Sequence, residues 1–314
     1  MTVKKFKLVS DFDSLILGVM MYIPKNRANL KGILQFTHGM TERKERYTKT
    51  MEFFASRGYV CIIHDHRGHG ESVKSTDDLG YFYNDGDIGI VEDLRRVSEY
   101  VREQYPGLPL YIIAHSMGTL VTRVYLRSYD NLPNGVFLCG SPSSNNSTVA
   151  VTPILENYSK ISGDRFRGQL INDLFVGIFD FNFKNENQRY AWMCSDKSVV
   201  TDFLNDPLCA FSFTINGYKC LLSLLNQTYV GNTKTAKNPG LPIMFLSGTE
   251  DSCMLGYKKF TEAVGKQHEA GYSYVGYKLY EGMRHEILNE PDRETVYNNI
   301  LKHIKLIENM KKIL

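Results

Sequence analysis

The amino-acid sequence predicts an α/β fold, in which helices cover both faces of a mostly parallel, doubly wound sheet that a helical insertion interrupts. Short runs of apolar and β-branched residues alternate along the chain with longer stretches of helical periodicity. Three of these runs, Cys61–Ile63, Tyr111–Ile113 and Ile243–Leu246, have no polar residue at alternate positions. Strands that are apolar on both faces are typical of a parallel sheet covered by helices, so these runs indicate this fold class.

Helices are predicted between and after the strands. Apolar residues recur at helical spacing over Val91–Val101, before a stop at Pro106, and again in the residues that follow Ser116. The segment Val296–Ile307 repeats the pattern near the C-terminus, and the alternation predicts right-handed crossovers. The predicted strands are Leu15–Ile23, Gly32–Thr37, Tyr59–Asp65, Leu110–Ala114, Val136–Cys139, Ile243–Ser247 and Ser273–Tyr280.

One long stretch contains no clear strand pattern, and it begins and ends in polar, turn-forming residues. We therefore predict that residues 1–142 and 239–314 form the core of the fold and that residues 143–238 form a helical cap. A dense apolar cluster in this cap either forms the cap's own core or lines a pocket for an acyl chain. Its members are Ile171, Leu174, Phe175, Ile178, Phe179, Phe181 and Phe183.

Composition excludes several classes of function. The net charge is +3, from 37 basic and 34 acidic residues, and no basic stripe occurs, so a nucleic-acid partner is not expected. The six cysteines form no Cys-x-x-Cys pair, which argues against a zinc ribbon or a redox motif. The first residues do not resemble a signal peptide, and the apolar run Leu15–Tyr22 is too short to span a membrane. Free thiols suit a reducing compartment, so we expect a cytoplasmic protein.

The pentapeptide Ala114-His115-Ser116-Met117-Gly118 lies between a predicted buried strand and a predicted helix. This is the context of a nucleophile elbow, a turn so tight that the residues two before and two after the serine must be small. Ala114 and Gly118 meet that requirement. The elbow would present the Ser116 hydroxyl at the carboxyl edge of the sheet, where ligands bind in open α/β folds.

A serine hydroxyl needs a base, and in this arrangement an acid and then a histidine follow the serine along the chain. Asp251 comes just after one late predicted strand, and His285 comes just after the next. We predict that Asp251 orients His285 and that His285 deprotonates Ser116. Glu250 is the alternative acid.

Two backbone N–H groups are predicted to bind the oxyanion of the reaction. One belongs to Met117, directly after the serine, and the other to Met40, which follows the predicted strand Gly32–Thr37. The three histidines of the segment 64–69 invite a metal interpretation, but no further ligand pattern supports it and acyl transfer by these residues needs no metal. We expect neither a metal nor a cofactor.

These residues, taken together, resemble the monoacylglycerol lipase and lysophospholipase branch of the α/β hydrolases, also called serine aminopeptidase S33-like. The resemblance extends from about Gly32 to the C-terminus, and it includes a lid-like segment, Asp206–Cys209, followed by the aromatic-rich Phe211–Thr214. The matching motifs are His38-Gly39-Met40-x-Glu42, Arg46-Tyr47, Asp65-His66-Arg67-Gly68-His69-Gly70-x-Ser72, His115-Ser116-Met117-Gly118, Gly248-x-x-Asp251 and His285-Glu286.

The resemblance implies an α/β-hydrolase fold with a cap over the active site, an acyl ester substrate, and oxyanion donors at Met40 and Met117. Two residues depart from the usual pattern. Ala114 replaces a glycine in the elbow, and Thr119 replaces a frequent second glycine after it. These departures affect the packing around the elbow, whereas the predicted triad is unchanged.

The main functional hypothesis is a serine hydrolase that cleaves a monoacylglycerol, a lysophospholipid or a similar single-chain ester through an acyl-enzyme. Its partner would be a small-molecule ester, with transient membrane or micelle contact through the cap. One alternative is an esterase or thioesterase for small acyl groups. An S33-type peptidase or amidase would need cap acids to hold an amine. A non-catalytic binding protein would not need the triad. The candidate cap acids, which are otherwise solvated charges, are Glu156, Asp164, Asp173 and Asp180.

Overall fold

The computed structural model describes residues 1–144, 147–230 and 234–313, and it contains one eight-stranded sheet in the order β1-β2-β4-β3-β5-β6-β7-β8. The pairs β1/β2 and β2/β4 are antiparallel, and every other pair is parallel. The predicted fold class is therefore confirmed. The strands are β1 Thr2–Val9, β2 Ile16–Ile23, β3 Gly32–Thr37, β4 Tyr59–His64, β5 Leu110–His115, β6 Gly135–Cys139, β7 Ile243–Gly248 and β8 Val275–Tyr280.

Helices lie between the strands in the order expected for a doubly wound sheet. Short 3₁₀ segments add to them, among them Gly177–Glu186, Ala191–Met193 and Ser252–Met254. In the described part of the chain the α-helices are α1 Thr48–Ala55, α2 Gly86–Gln104, α3 Met117–Tyr129, α4 Ser147–Ser162, α5 Gln169–Phe175, α6 Lys197–Asn205, α7 Ile215–Tyr229, α8 Tyr257–Glu269 and α9 Arg293–Ile313.

Alternate residues of the central strands pack into two different cores. In β5, Ile112 belongs to a cluster with Leu120 of α3, whereas Ile113 belongs to a cluster with Phe54 of α1 and Ile300 of α9. Both β5 side chains are fully buried. A strand buried on both faces has no solvent-facing position, and this is why its sequence shows no polar alternation.

The sequence prediction missed β1. The seven predicted strands all lie in the sheet, with ends displaced by at most two residues. β1 is an edge strand with three lysines, and most of its residues are exposed, including Val3 at 47%. With neither face well buried, the strand carries no hydrophobic period of two and its pattern is indistinguishable from a polar terminal segment.

Helices α4 to α7 occupy the chain between β6 and β7, and the described residues of that stretch include no strand. Their packing is shared with the rest of the protein, since Leu222 and Leu224 of α7 belong to the same cluster as Leu120 of α3. A second apolar cluster contains Trp192 and Phe203 of this stretch together with Cys253, which follows β7. The division into a core and a cap at residues 143 and 238 stays a prediction. The side chain of Leu174 lies outside the described residues.

Candidate active site

Ser116 occupies the turn between β5 and α3, with φ of 49° and ψ of −122°. Such a positive φ is strained for a residue with a side chain, and it persists only where the surroundings enforce it. The end of β3 packs closely against the turn at Gly118. A Cβ at Gly118 would lie 2.5 Å from the carbonyl oxygen of Thr37 and 2.6 Å from that of His38, so only glycine fits there. Thr119, the departure noted above, donates its hydroxyl hydrogen bond to the Ser116 carbonyl at 2.6 Å. Close packing at Gly118 and the hydrogen bond from Thr119 thus hold the backbone of the turn in place.

The structure brings Ser116, His285 and Asp251 into one hydrogen-bonded chain. His285 Nε2 lies 2.8 Å from Ser116 Oγ, and His285 Nδ1 lies 2.9 Å from Asp251 Oδ1. All three residues are buried. Asp251 follows β7 and His285 follows β8, two adjacent parallel strands whose carboxyl ends meet at one edge of the sheet. Residues 169 positions apart in sequence are therefore in contact.

Asp251 is held by further hydrogen bonds. Its Oδ2 accepts from Ser247 Oγ at 2.9 Å, and its Oδ1 accepts from the Cys253 N–H at 2.9 Å. These bonds fix the carboxylate so that it faces His285. Glu250, the alternative acid, has a half-exposed side chain that lies 3.8 Å from Arg284 Nε. It takes no part in the hydrogen-bonded chain.

The charges of Asp251 and His285 act on each other. Burial alone would raise the pKa of Asp251, but attraction to His285 and the hydrogen bonds to its carboxylate lower it below its usual value. Burial alone would lower the pKa of His285, but the charge of Asp251 outweighs burial and raises that pKa well above its usual value. The arrangement favours a positively charged imidazole, the species that forms when His285 takes a proton from Ser116.

The predicted oxyanion donors lie beside the serine. Met40 and Met117 line the same cavity as Ser116. Neither of their N–H groups donates to an acceptor in the part of the chain that the structure describes. Gly39 brings the two segments together, since a Cβ at that position would lie 3.0 Å from the Cβ of Ser116. Their role in binding an oxyanion stays a prediction.

An apolar cavity of about 130 Å³ opens from Ser116. Its walls come from the elbow, from α7 and from the segment 175–179, which contributes Phe175, Ile178 and Phe179 of the predicted aromatic cluster. Phe181 and Phe183 instead line a wider groove at the surface. The cluster therefore divides, with one part beside the serine and the other facing outward.

A smaller cavity of about 30 Å³ is lined by both Ser116 and His285. Polar side chains contribute to its lining, among them Glu42, Asn172 and Tyr190. Trp192 lines both cavities, and its ring centroid lies 5.0 Å from that of His285. Sequence reasoning missed Trp192, because nothing in its local sequence distinguishes a tryptophan that contacts the imidazole from one in a core.

The histidines near the oxyanion loop are buried and pack ring to ring. His38 and His66 lie 4.3 Å apart and His64 and His66 lie 5.0 Å apart, measured between ring centroids. Burial lowers the pKa of His64 to about 3 and that of His69 to about 4, so both rings are neutral at physiological pH. A neutral, packed cluster accounts for these histidines without a metal.

Potential metal ligands come together within the described residues at Asp251, Cys253 and His285, whose ligand atoms lie within 4.8 Å of one another. Two of these residues already bind each other through the hydrogen bond between His285 and Asp251. A metal ion at this position would replace that bond. The donor set therefore fits the acid and base of a triad better than it fits a metal centre.

Comparison with known proteins identifies relatives across most of the chain. A family model described as serine aminopeptidase, S33, matches residues 28–292. The chain is 28% identical over 279 residues to the monoglyceride lipase of Homo sapiens, covering 88% of this chain and 82% of that protein. It is 24% identical over 279 residues to the monoacylglycerol lipase of Mycolicibacterium smegmatis, covering 87% of this chain and 88% of the other.

Solved structures match over nearly the whole chain. A thermostable carboxyl esterase from Bacillus coagulans, solved with glycerol, superposes with a TM-score of 0.88 at 25% identity and covers 98% of this chain and 99% of its own. A soluble variant of the monoglyceride lipase from Saccharomyces cerevisiae, solved with a substrate analogue, has a TM-score of 0.73 at 20% identity and covers 98% and 96%. At this identity, the similarity to the Saccharomyces cerevisiae lipase shows a shared fold and nothing more.

Proposed function

The chain belongs to the serine aminopeptidase S33 family, and we propose that it is a carboxylic ester hydrolase that cleaves monoacylglycerols, lysophospholipids or similar single-chain lipid esters. The observation that carries this proposal is the hydrogen-bonded chain Ser116–His285–Asp251 at the mouth of an apolar cavity. The names of the relatives, monoacylglycerol lipase and phospholipase among them, support the same substrate class.

In the proposed reaction, Ser116 Oγ attacks the ester carbonyl carbon while His285 Nε2 accepts the hydroxyl proton. The N–H groups of Met40 and Met117 would bind the negative oxygen of the tetrahedral intermediate. When the intermediate collapses, the C–O bond to the alcohol breaks and His285 returns its proton to that alcohol. Water then attacks the acyl-enzyme by the same route and releases the fatty acid. The base form of His285 is required, so activity should rise with pH through the pKa of His285.

The cavities suggest how the substrate would lie. The apolar cavity would take the start of the acyl chain, and the smaller cavity, which His285 lines, would face the alcohol. Ile178, Phe179 and Leu255 line both the apolar cavity and the wider surface groove. An acyl chain longer than the inner cavity would therefore continue past these residues into the groove.

The lining of the cavity favours an ester over a peptide with a free amine. No carboxylate from the described residues lines the apolar cavity. Two of the candidate cap acids, Glu156 and Asp164, lie within 4 Å of the ammonium group of Lys219. Asp180 accepts a hydrogen bond from the Tyr190 N–H at 3.0 Å. These acids therefore have partners within the fold, which is a reason to rank a peptidase second.

We also propose transient contact of α4 with a lipid surface. Ile154, Tyr158 and Ile161 recur at helical spacing on this helix and are exposed, with Ile161 at 84%. The ring of Phe166 stacks on Tyr158, and Lys160 adds a cation. An apolar stripe beside a cation is typical of helices that lie on membranes or micelles. No described helix is long and apolar enough to cross a membrane.

For localisation, we propose the cytoplasm. All six cysteines are free and buried, and the fold uses none of them in a disulfide. Thiols that stay reduced are typical of a reducing compartment.

The test of the proposed function is hydrolysis of p-nitrophenyl esters from acetate to palmitate, followed by monoacylglycerol against lysophospholipid. We expect maximal kcat/KM at medium or long chains and a loss of several orders of magnitude in Ser116→Ala. Cleavage of acetate and butyrate alone would replace the lipid assignment with a small-ester one. Equal activity of wild type and Ser116→Ala would refute the triad.

A further inference from the structure

Arg46 is a largely buried arginine whose guanidinium binds two different carboxylates. Its Nη1 donates to Glu42 Oε2 at 2.8 Å, and the two Nη atoms donate to the two Glu286 oxygens at 2.7 and 2.8 Å. The side chain is 10% exposed, and both carboxylates are buried. Parallel bonds from a guanidinium to a carboxylate fix direction as well as distance, which a lysine ammonium cannot do.

One of these carboxylates holds the oxyanion loop. Glu42 Oε1 accepts a hydrogen bond from the Gly39 N–H and another from the Tyr47 hydroxyl, at 3.1 Å for the latter. Gly39 directly precedes Met40, the predicted oxyanion donor. The carboxylate thereby fixes the His38–Gly39 peptide, and the Gly39 carbonyl of the next peptide, which carries the Met40 N–H, lies 2.7 Å from His38 Nδ1.

The other carboxylate belongs to the residue after the histidine base. The Glu286 N–H donates to the Met193 carbonyl at 2.7 Å, and the His285 N–H donates to the Trp192 carbonyl at 3.5 Å. Glu286 is thus fixed at its backbone by the segment that carries Trp192 and at its side chain by Arg46. The position of His285 follows from both.

Charge explains why this connection is firm. Burial alone would raise the pKa of Glu286, but attraction to Arg46 lowers that pKa to about 2. For Glu42, burial outweighs the attraction to Arg46 and raises the pKa. One cation thus serves two buried acids, and removing it would leave like charges facing each other without a counter-ion, an arrangement that is strongly unfavourable in a protein interior.

We propose that Arg46 is a positioning residue for catalysis, which holds the oxyanion loop and the histidine loop at a fixed separation by binding Glu42 on one and Glu286 on the other. This inference rests on the proposed function for its choice of reacting groups. It assigns Arg46 no contact with the substrate. Its effect should therefore fall on the rate of the chemical step and leave substrate binding unchanged, because the apolar cavity is not lined by Arg46.

The test is Arg46→Lys, with Arg67→Lys as the matched control. The Arg67 side chain is fully buried, and its Nε donates to Asp93 Oδ2 at 2.8 Å, so its replacement should cost at least comparable stability. Its guanidinium binds Asp13 and Asp93, which belong to neither of the two loops. We expect Arg46→Lys to lower kcat for p-nitrophenyl butyrate by about 10- to 100-fold with KM within about threefold, since a misplacement of about 1 Å can cost 10²-fold. Arg67→Lys should keep kcat within about twofold at a similar Tm.

A second measurement separates this inference from the proposed function. The rate at which a fluorophosphonate probe labels Ser116 depends on the nucleophile, base and oxyanion donors but needs no ester substrate. Arg46→Lys should reduce this rate by a similar factor even if the wild type cleaves no lipid ester. If Arg46→Lys does not fold, the near-isosteric Glu286→Gln takes its place, with a loss of about fivefold or more. Unchanged labelling in the folded variant, or equal losses in Arg46→Lys and Arg67→Lys, would overturn the proposal.

Discussion

The two sides of the candidate active site are built in different ways. On the catalytic side, hydrogen bonds and ion pairs fix each group, as in the chain from Ser247 to Asp251 to His285. On the acyl side, apolar side chains such as Leu222 and Phe179 shape the cavity by packing. The difference shows that directional bonds set the chemistry, while shape and apolar area set which substrate reaches it. A change on one side should therefore leave the other largely intact.

The largest effect is expected from Asp251, the proposed acid of the triad. Asp251→Asn keeps the shape but favours the wrong imidazole tautomer, so kcat should fall by roughly 10⁴-fold. The measurement is steady-state hydrolysis of p-nitrophenyl butyrate. Glu250→Gln is the matched control and should change kcat by less than about twofold, since Glu250 is half exposed and lies beside Arg284. A large loss in Glu250→Gln with a small one in Asp251→Asn would reverse the assignment of the acid.

The catalytic side should also make the fold sensitive to acid. The pKa of each of His38, His64, His66, His69 and His115 is lowered, chiefly by burial. Between the unfolded value of about 6.5 and these lowered values, the unfolded chain binds more protons than the folded one, so the free energy of unfolding falls as pH falls. The raised pKa of His285 acts in the opposite direction and above that window.

His64→Phe tests this acid sensitivity, because neither ring nitrogen of His64 has a hydrogen-bond partner among the described residues. Each such histidine contributes a slope of up to about 1.4 kcal/mol per pH unit below pH 6.5. Denaturant unfolding is measured from pH 8 to pH 5. Below pH 6.5, the slope of the free energy of unfolding against pH should be smaller in the variant by about that amount. An unaltered slope would mean that His64 is protonated in the folded protein as well.

A change on the acyl side should alter chain-length preference alone. Val151 lines the apolar cavity, so Val151→Phe should lower kcat/KM for palmitate about tenfold relative to butyrate by filling space. The control is Ile154→Phe on the same helix, at an exposed position that does not line the cavity. The readout is the ratio of palmitate to butyrate hydrolysis. Parallel shifts in both variants would mean that the helix, rather than the cavity wall, governs the preference.

The smallest effect is expected at the surface of α4. Ile161→Asp should weaken binding to anionic phospholipid vesicles by about threefold or more, because it places a charge in the exposed apolar stripe. Hydrolysis of a water-soluble ester should be unchanged. Leu306→Asp, at an exposed position on α9, serves as the matched control in a vesicle sedimentation assay. Equal binding of both variants would exclude α4 as the lipid-contacting surface.

The sequence by itself determined the fold class and the positions of Ser116, Asp251 and His285, because strand burial and the steric demands of a tight turn are recorded in local patterns. The small residues Ala114 and Gly118 on either side of Ser116 indicate a tight turn within a stretch of only five residues. The confirmed parallel sheet places the ends of β5, β7 and β8 at one edge. The local signals and the sheet rule together were enough to bring these three residues into contact.

Only the tertiary structure decided which other side chains join them. Trp192 reaches His285 from a segment without periodicity, and Arg46 binds Glu286, which lies 240 positions away in sequence. Local sequence patterns also did not predict how the aromatic cluster divides between cavity and surface. They did not predict the edge strand β1 either. Such contacts depend on where distant segments pack, and a side chain's own sequence neighbours carry no record of that, because its partners come from other elements of the fold.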